Sequence, residues 1–179
     1  MYKRQAQAEA IRARTSESPF VLVGHSSGGM LAQAVAAELE RSGVPVAGLV
    51  LIDIYSHDVE ALAGIQGALS SGMIEREDGY VPMDDTRLTA MGGYVRLFHG
   101  WQPTPIQAPT LLVRATEPMF GWSRDGDWRS SWTLPHTAVD TPGNHFSVME
   151  EHAAATATVV DQWLTSLADP HPHTKATTR

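Results

Sequence analysis

The sequence predicts an α/β fold built on a parallel sheet, and three observations carry that prediction. Short apolar runs alternate with stretches of helical periodicity along the chain. Two of the runs, Gly48-Leu49-Val50-Leu51-Ile52 and Thr110-Leu111-Leu112-Val113-Arg114, are nearly unbroken, as expected of strands covered on both faces. A third, Phe20-Val21-Leu22-Val23, leads straight into Gly24-His25-Ser26-Ser27-Gly28-Gly29 and then into a helical pattern. Strands and helices alternating in this way form right-handed crossovers on one parallel sheet.

Taken in order, residues 4–15 are rich in Ala, Gln, Glu and Arg, good helix formers, with a thin stripe of Ala6, Ala10, Ile11 and Ala13. Pro19 ends the connection, and Phe20–Val23 reads as a buried strand. Met30, Leu31, Ala34, Val35 and Leu39 recur at helical spacing up to Gly43, a helix stop, with Pro45 beyond it. The strand Gly48–Ile52 ends in Asp53-Ile54-Tyr55. The stretch 56–108 carries one helical pattern at Ala61, Leu62, Ile65 and Leu69 and a loop from Gly72 to Met83. A second pattern follows at Leu88, Met91, Tyr94, Val95 and Phe98, with Asp84 or Asp85 as its cap. An insertion of that length in a compact domain is expected to be a lid or a binding element. Pro103, Pro105 and Pro109 bring the chain back to the strand at 110–114. After a loop containing Trp122, Trp128 and Trp132, Thr137-Ala138-Val139 is a short fourth strand. Pro142-Gly143-Asn144-His145-Phe146 is a loop, and Ala153–Leu167 is the last helix. Residues 169–179 read as a disordered tail, leaving one domain over 1–168 with its insertion at about 56–108.

Composition narrows the function. At 179 residues, 42% hydrophobic and 18% charged, the chain suits a single globular domain. A net charge of −7 argues against nucleic acid or an anionic membrane as partner. The chain has no cysteine, so neither disulfides nor a thiolate nucleophile are available. No apolar run approaches the roughly 20 residues of a membrane span. Met1–Gln7 is basic and polar with no apolar stretch behind it, so no secretory signal is read and a cytoplasmic location is expected. His171-Pro172-His173 stands without further ligands, and no metal site is expected from it.

The chemistry centres on Gly24-His25-Ser26-Ser27-Gly28. Gly-x-Ser-x-Gly between a strand and a helix is the pattern of a nucleophile elbow, in which a strained turn lifts a serine above the sheet edge. Glycine at both flanking positions is expected to relieve crowding there. Ser26, with Gly two residues away on either side, is the candidate nucleophile; Ser27 is expected to contribute its N–H to an oxyanion site. A serine needs a base held by an acid, and in this fold the chain order is Ser, acid, His. His145, after the fourth strand, fits the base position ahead of His25, His57, His99, His136 and His152. Two acids compete: Asp53 after the second strand and Glu117 after the third. Chain order permits both.

The motifs taken together resemble a known family. Gly-His-Ser-Ser-Gly-Gly, Leu51-Ile52-Asp53-Ile54-Tyr55, Met83-Asp84-Asp85-Thr86-Arg87-Leu88-Thr89-Ala90, Glu117-Pro118-Met119 and Pro142-Gly143-Asn144-His145-Phe146 are similar to the terminal thioesterase domain of modular type I polyketide synthases, particularly those making macrolides. The resemblance runs from about Pro19 to Leu164. It implies an α/β-hydrolase fold, a Ser26–Asp53–His145 triad and lid helices within 56–108. The implied substrate is a polyketide acyl chain on the phosphopantetheine of an acyl carrier protein domain, with no cofactor of the chain's own. It implies release as a macrolactone or an acid. Tyr55, Tyr94, Met119 and Trp122 are candidate contacts for the acyl chain. Ser27 stands where the family commonly has Ala, and Asn144 where Asp is frequent. The family's N-terminal dimer helices and the strands that precede its elbow have no counterpart here, so the chain is expected to be the C-terminal part of such a domain, with an exposed edge at Phe20–Val23. The other readings of the same residues are a general esterase or editing thioesterase of this fold, and a non-catalytic module that docks a carrier.

Overall fold

The computed structural model describes residues 2–15, 18–55, 84–98, 100–119 and 128–168. Its strands are β1 (Val21–His25), β2 (Gly48–Ile52), β3 (Thr110–Ala115) and β4 (Thr137–Thr141). They form one sheet in the order β1-β2-β3-β4, every pair parallel. The helices are α1 (Tyr2–Thr15), α2 (Ser27–Arg41), α3 (Asp85–Phe98) and α4 (Ala153–Ala168), with a short 3-10 turn at Ser147–Met149. The helix expected around Ala61–Leu69, the loop to Met83, Trp122 and the tail lie outside the described residues.

Alternation along the strands sorts the core into two layers. Val50, Ile52, Leu111 and Val113 face α4, where they meet Val159, Val160, Trp163 and Leu164. Leu49, Leu51 and Leu112 face the opposite side with Ala32 of α2 and Trp132. Every residue of β2 is buried, which is why its sequence is an unbroken apolar run rather than an alternating one. β4 is more exposed than the inner strands and correspondingly polar. β1 forms the other edge of the described sheet, and Val23 on it is 55% exposed.

One local result differs from the sequence reading, and another decides between two alternatives it left open. On α1 the packed face is Ala8 and Ile11, against Val35, Ala36 and Leu39 of α2, while Ala6, Ala10 and Ala13 are exposed. Alanine carries too little apolar area to choose a face by itself; the partner helix chooses it. On α3 the cap is settled in favour of Asp84, whose Oδ1 accepts from the Arg87 N–H at 2.8 Å. The proline-rich return to β3 is pinned to α2: the Glu40 carboxylate accepts from the N–H groups of Gln107 and Ala108 at 2.7 and 2.9 Å.

Candidate active site

β1 and α2 are joined by a single residue. β1 ends at His25 and α2 begins at Ser27, so Ser26 makes the whole turn, with φ 54° and ψ −133°. Its N–H is bonded to Ile52 O at 3.0 Å, fixing the turn to the end of β2. A Cβ on Gly24 would run into the backbone of Gly28 and Gly29, and one on Gly29 into Ile54. Gly28 differs from its sequence reading: nothing lies within 4 Å of a Cβ built there. The close approach of strand to helix falls on Gly24 and Gly29, because Gly29 is the residue of the first helical turn that faces the sheet.

Asp53 directly follows β2, one residue beyond the His25–Ile52 pair, and so stands beside Ser26. It too has positive φ, 43°; Ser26 and Asp53 are the non-glycine residues with that geometry among the described residues. Its carboxylate is 1% exposed and fully engaged. Oδ1 accepts from the Ala115 N–H at 3.0 Å; Oδ2 accepts from His145 Nδ1 at 2.8 Å and from the Tyr55 hydroxyl at 3.1 Å. Burial alone would raise its pKa, but the bond and charge of His145, then the Ala115 N–H and the Tyr55 hydroxyl, outweigh it and hold the carboxyl below its ordinary range. Tyr55, in turn, is pushed well above the usual phenol by burial and by the Asp53 charge, so it stays a donor.

The third group arrives from the loop after β4. Gly143 has φ 97°, and a Cβ there would strike His152 and Ser147. Asn144 Oδ1 accepts from the N–H groups of Phe146 and Ser147 at 3.0 and 3.1 Å, and Ser147 Oγ accepts from the Asn144 N–H at 2.8 Å. These bonds present His145, 2% exposed, to the sheet edge. A carboxylate only accepts, so Nδ1 carries the imidazole proton and Nε2 is left to accept from Ser26 Oγ at 3.0 Å.

Glu117 is exposed; its N–H bonds Gly143 O at 2.9 Å, and its carboxylate is not among the partners of His145. His136 is exposed and sits before β4, at the opposite end of the sheet, and His152 packs under Gly143. Ser27 opens α2 and is exposed. Met119 is buried just past β3. Tyr94 lies on α3, its side chain outside the described residues, as are Trp122, His57 and His99. Among the described residues no group of three or more His, Cys, Asp or Glu could hold a metal ion, and no helix is long and apolar enough to cross a membrane. The sequence reading missed the Tyr55–Asp53 bond, and it placed His25 beside the elbow without a role. A polar ring two residues past the acid was the only signal for the first.

A hydroxyl, an imidazole and a carboxylate in line at the C-terminal edge of a parallel sheet define a serine hydrolase of the α/β-hydrolase fold. The chain belongs to the thioesterase domain family, whose profile matches residues 5–164. It is 53% identical over 166 residues to polyketide synthase GfsE of Streptomyces halstedii, covering 91% of this chain and 4% of that one. To erythronolide synthase EryA3 of Saccharopolyspora erythraea it is 44% identical over 160 residues, covering 88% and 5%. The chain thus spans a small part of the length of these relatives. The solved NocB thioesterase domain, in covalent complex with a fluorophosphonate nocardicin G analog, shares the fold: TM-score 0.67 at 20% identity over 91% of this chain and 74% of that one.

Proposed function

We propose that this chain releases polyketide chains from an acyl carrier protein domain, by acyl transfer to Ser26 followed by macrolactonisation or hydrolysis. The observation that supports it is the continuous Ser26–His145–Asp53 relay in a thioesterase-family chain whose relatives are polyketide synthases. Ser26 Oγ attacks the carbonyl carbon of the thioester on the carrier's phosphopantetheine as its proton passes to His145 Nε2. Asp53 keeps Nδ1 protonated and stabilises the imidazolium. Ser27 stands at the first position of α2, where N–H groups have no intrahelical partner, and its N–H stabilises the oxyanion. Collapse breaks the carbon–sulfur bond; the pantetheine sulfur takes the proton from His145 and leaves as the thiol, giving acyl-Ser26. A hydroxyl of the same acyl chain, or water, then gives its proton to His145 and attacks the ester. Ser26 takes that proton back as lactone or acid departs.

The scheme uses no cofactor of the chain's own, since the pantetheine belongs to the partner. Tyr55 and Met119, past the ends of β2 and β3, and Tyr94 and Trp122 in flanking segments are the candidates for acyl-chain contact. Labelling of the chain by a fluorophosphonate, with Ser26→Ala as control, tests the nucleophile. Turnover of long acyl-pantetheine thioesters against short esters tests the substrate class. Equal preference for short esters would make the chain a general esterase.

A further inference from the structure

β1 and β4 are not neighbours in the sheet; β2 and β3 lie between them. The base loop after β4 must therefore reach across the sheet edge to meet Ser26. On its near side the loop is fixed to the end of β3 through the Glu117 N–H and Gly143 O. On its far side the fixed point is His25, the last residue of β1: His25 Nε2 lies 2.8 Å from the backbone carbonyl oxygen of His145. The two imidazole rings are 4.7 Å apart, tilted by 33°.

We propose that His25 is a positioning residue for acyl transfer, whose Nε2–H, donated to the His145 carbonyl, holds the base in line between Ser26 and Asp53. This rests on the triad assignment above. A carbonyl can only accept, so Nε2 is the protonated nitrogen of His25. His145 is then held at three points: Nδ1 on Asp53, Nε2 on Ser26, and its own carbonyl on β1. The first two orient the ring; the third sets where the backbone carries it. Without it the backbone that carries His145 loses its bond to β1, and displacement of a base by about 1 Å costs on the order of 10²-fold in rate. Burial and the neighbouring His145 also lower the His25 pKa to about 4. The ring beside the base is therefore neutral at pH 7 and adds no charge opposing the His145 imidazolium.

The test is the saturation kinetics of Ser26 phosphonylation by a fluorophosphonate, measured on the full chain. His25→Phe keeps the ring and removes the donor; His25→Gln returns an N–H donor of similar reach. The expected result is a maximal rate about 10- to 100-fold lower for His25→Phe with half-saturation unchanged, and recovery of most of the loss in His25→Gln. A His25→Phe rate equal to wild type overturns the proposal, as do equal losses in both variants. Nitrogen-15 NMR of the unmodified chain gives an independent reading that needs no variant to fold. A neutral, Nε2-protonated His25 at pH 7 supports the proposal, and a charged or Nδ1-protonated ring overturns it. Labelling that persists in Ser26→Ala would instead overturn the triad assignment, and this inference with it.

Discussion

Tyr55 and His145 donate to the same oxygen, Oδ2 of Asp53, at 3.1 and 2.8 Å. The acid of the relay therefore has two side-chain donors on one oxygen, the base and a phenol two residues along the chain. Removing the hydroxyl with Tyr55→Phe leaves the ring in place and takes away one influence that lowers the Asp53 pKa. The acid limb of the pH–rate profile should move upward, and acylation near neutral pH should fall by roughly 10- to 100-fold, in line with about 1.5–3 kcal/mol for a hydrogen bond to a charged group. The same loss for short and long acyl thioesters would assign Tyr55 to Asp53; a loss confined to long chains would assign it to substrate.

The two acids of the sequence reading give a sharp contrast. Asp53→Asn should reduce acyl transfer by on the order of 10⁴, because the imidazolium loses its partner and the tautomer of His145 is no longer enforced. Glu117→Gln should leave turnover within about twofold, its carboxylate being exposed and apart from the relay. Thioester turnover of the two variants side by side checks this, and a damaging Glu117→Gln would contradict the geometry.

The glycines of the elbow divide in the same testable way. Gly28 has open space around a Cβ and no positive φ, so Gly28→Ala should be neutral or stabilising by about 0.4–1 kcal/mol. Gly24→Ala, which would drive a methyl into the backbone of Gly28 and Gly29, should cost about 1–3 kcal/mol or more. Urea midpoints of the two variants decide the order, and equal midpoints would mean that the turn is looser than described.

Acid stability should carry the mark of His25. Its pKa is lowered from 6.5 to about 4 in the folded chain, chiefly by burial and then by His145. Between those values the unfolded chain binds a proton that the folded chain refuses. The contribution is complete above pH 6.5 and is lost as pH falls toward 4; at about 1.4 kcal/mol per pH unit it amounts to on the order of 3 kcal/mol. Asp53, held below its ordinary range, adds its own loss only at lower pH. Denaturant unfolding from pH 7 to pH 4 measures the first loss, and His25→Gln should flatten it.

Much of this was legible from sequence because it was written in local pattern. β2 and β3 announce themselves as apolar runs, since a strand buried on both faces has no polar positions to spare. The elbow shows in the spacing of Gly24, Ser26 and Gly28, even though Gly29 rather than Gly28 bears the close contact. What pairing decides was not legible. Asp53 and Glu117 both follow strands; which meets His145 depends on where each strand end sits and which way its carboxylate turns. That was settled beforehand only by family resemblance. The face of α1 was hidden because Ala6, Ala8, Ala10 and Ala13 are chemically alike and only α2 distinguishes them. The His25 bond was hidden because its partner is a backbone carbonyl 120 residues away, and a carbonyl has no signature in sequence.

The pairing of His25 with Ile52, and of Ile52 with Val113, places Ser26 and Asp53 at matched ends of adjoining strands, with the Asp53 N–H fastened to Val113. A slip of one residue between any two of these strands would carry a catalytic group about 3.3 Å along the sheet and turn its side chain to the other face. In the proposed mechanism, nucleophilicity at Ser26 is therefore a gauge of strand alignment. A population of chains can be sorted, molecule by molecule, into those that zipped correctly and those that mispaired, by asking which ones a serine-directed probe marks.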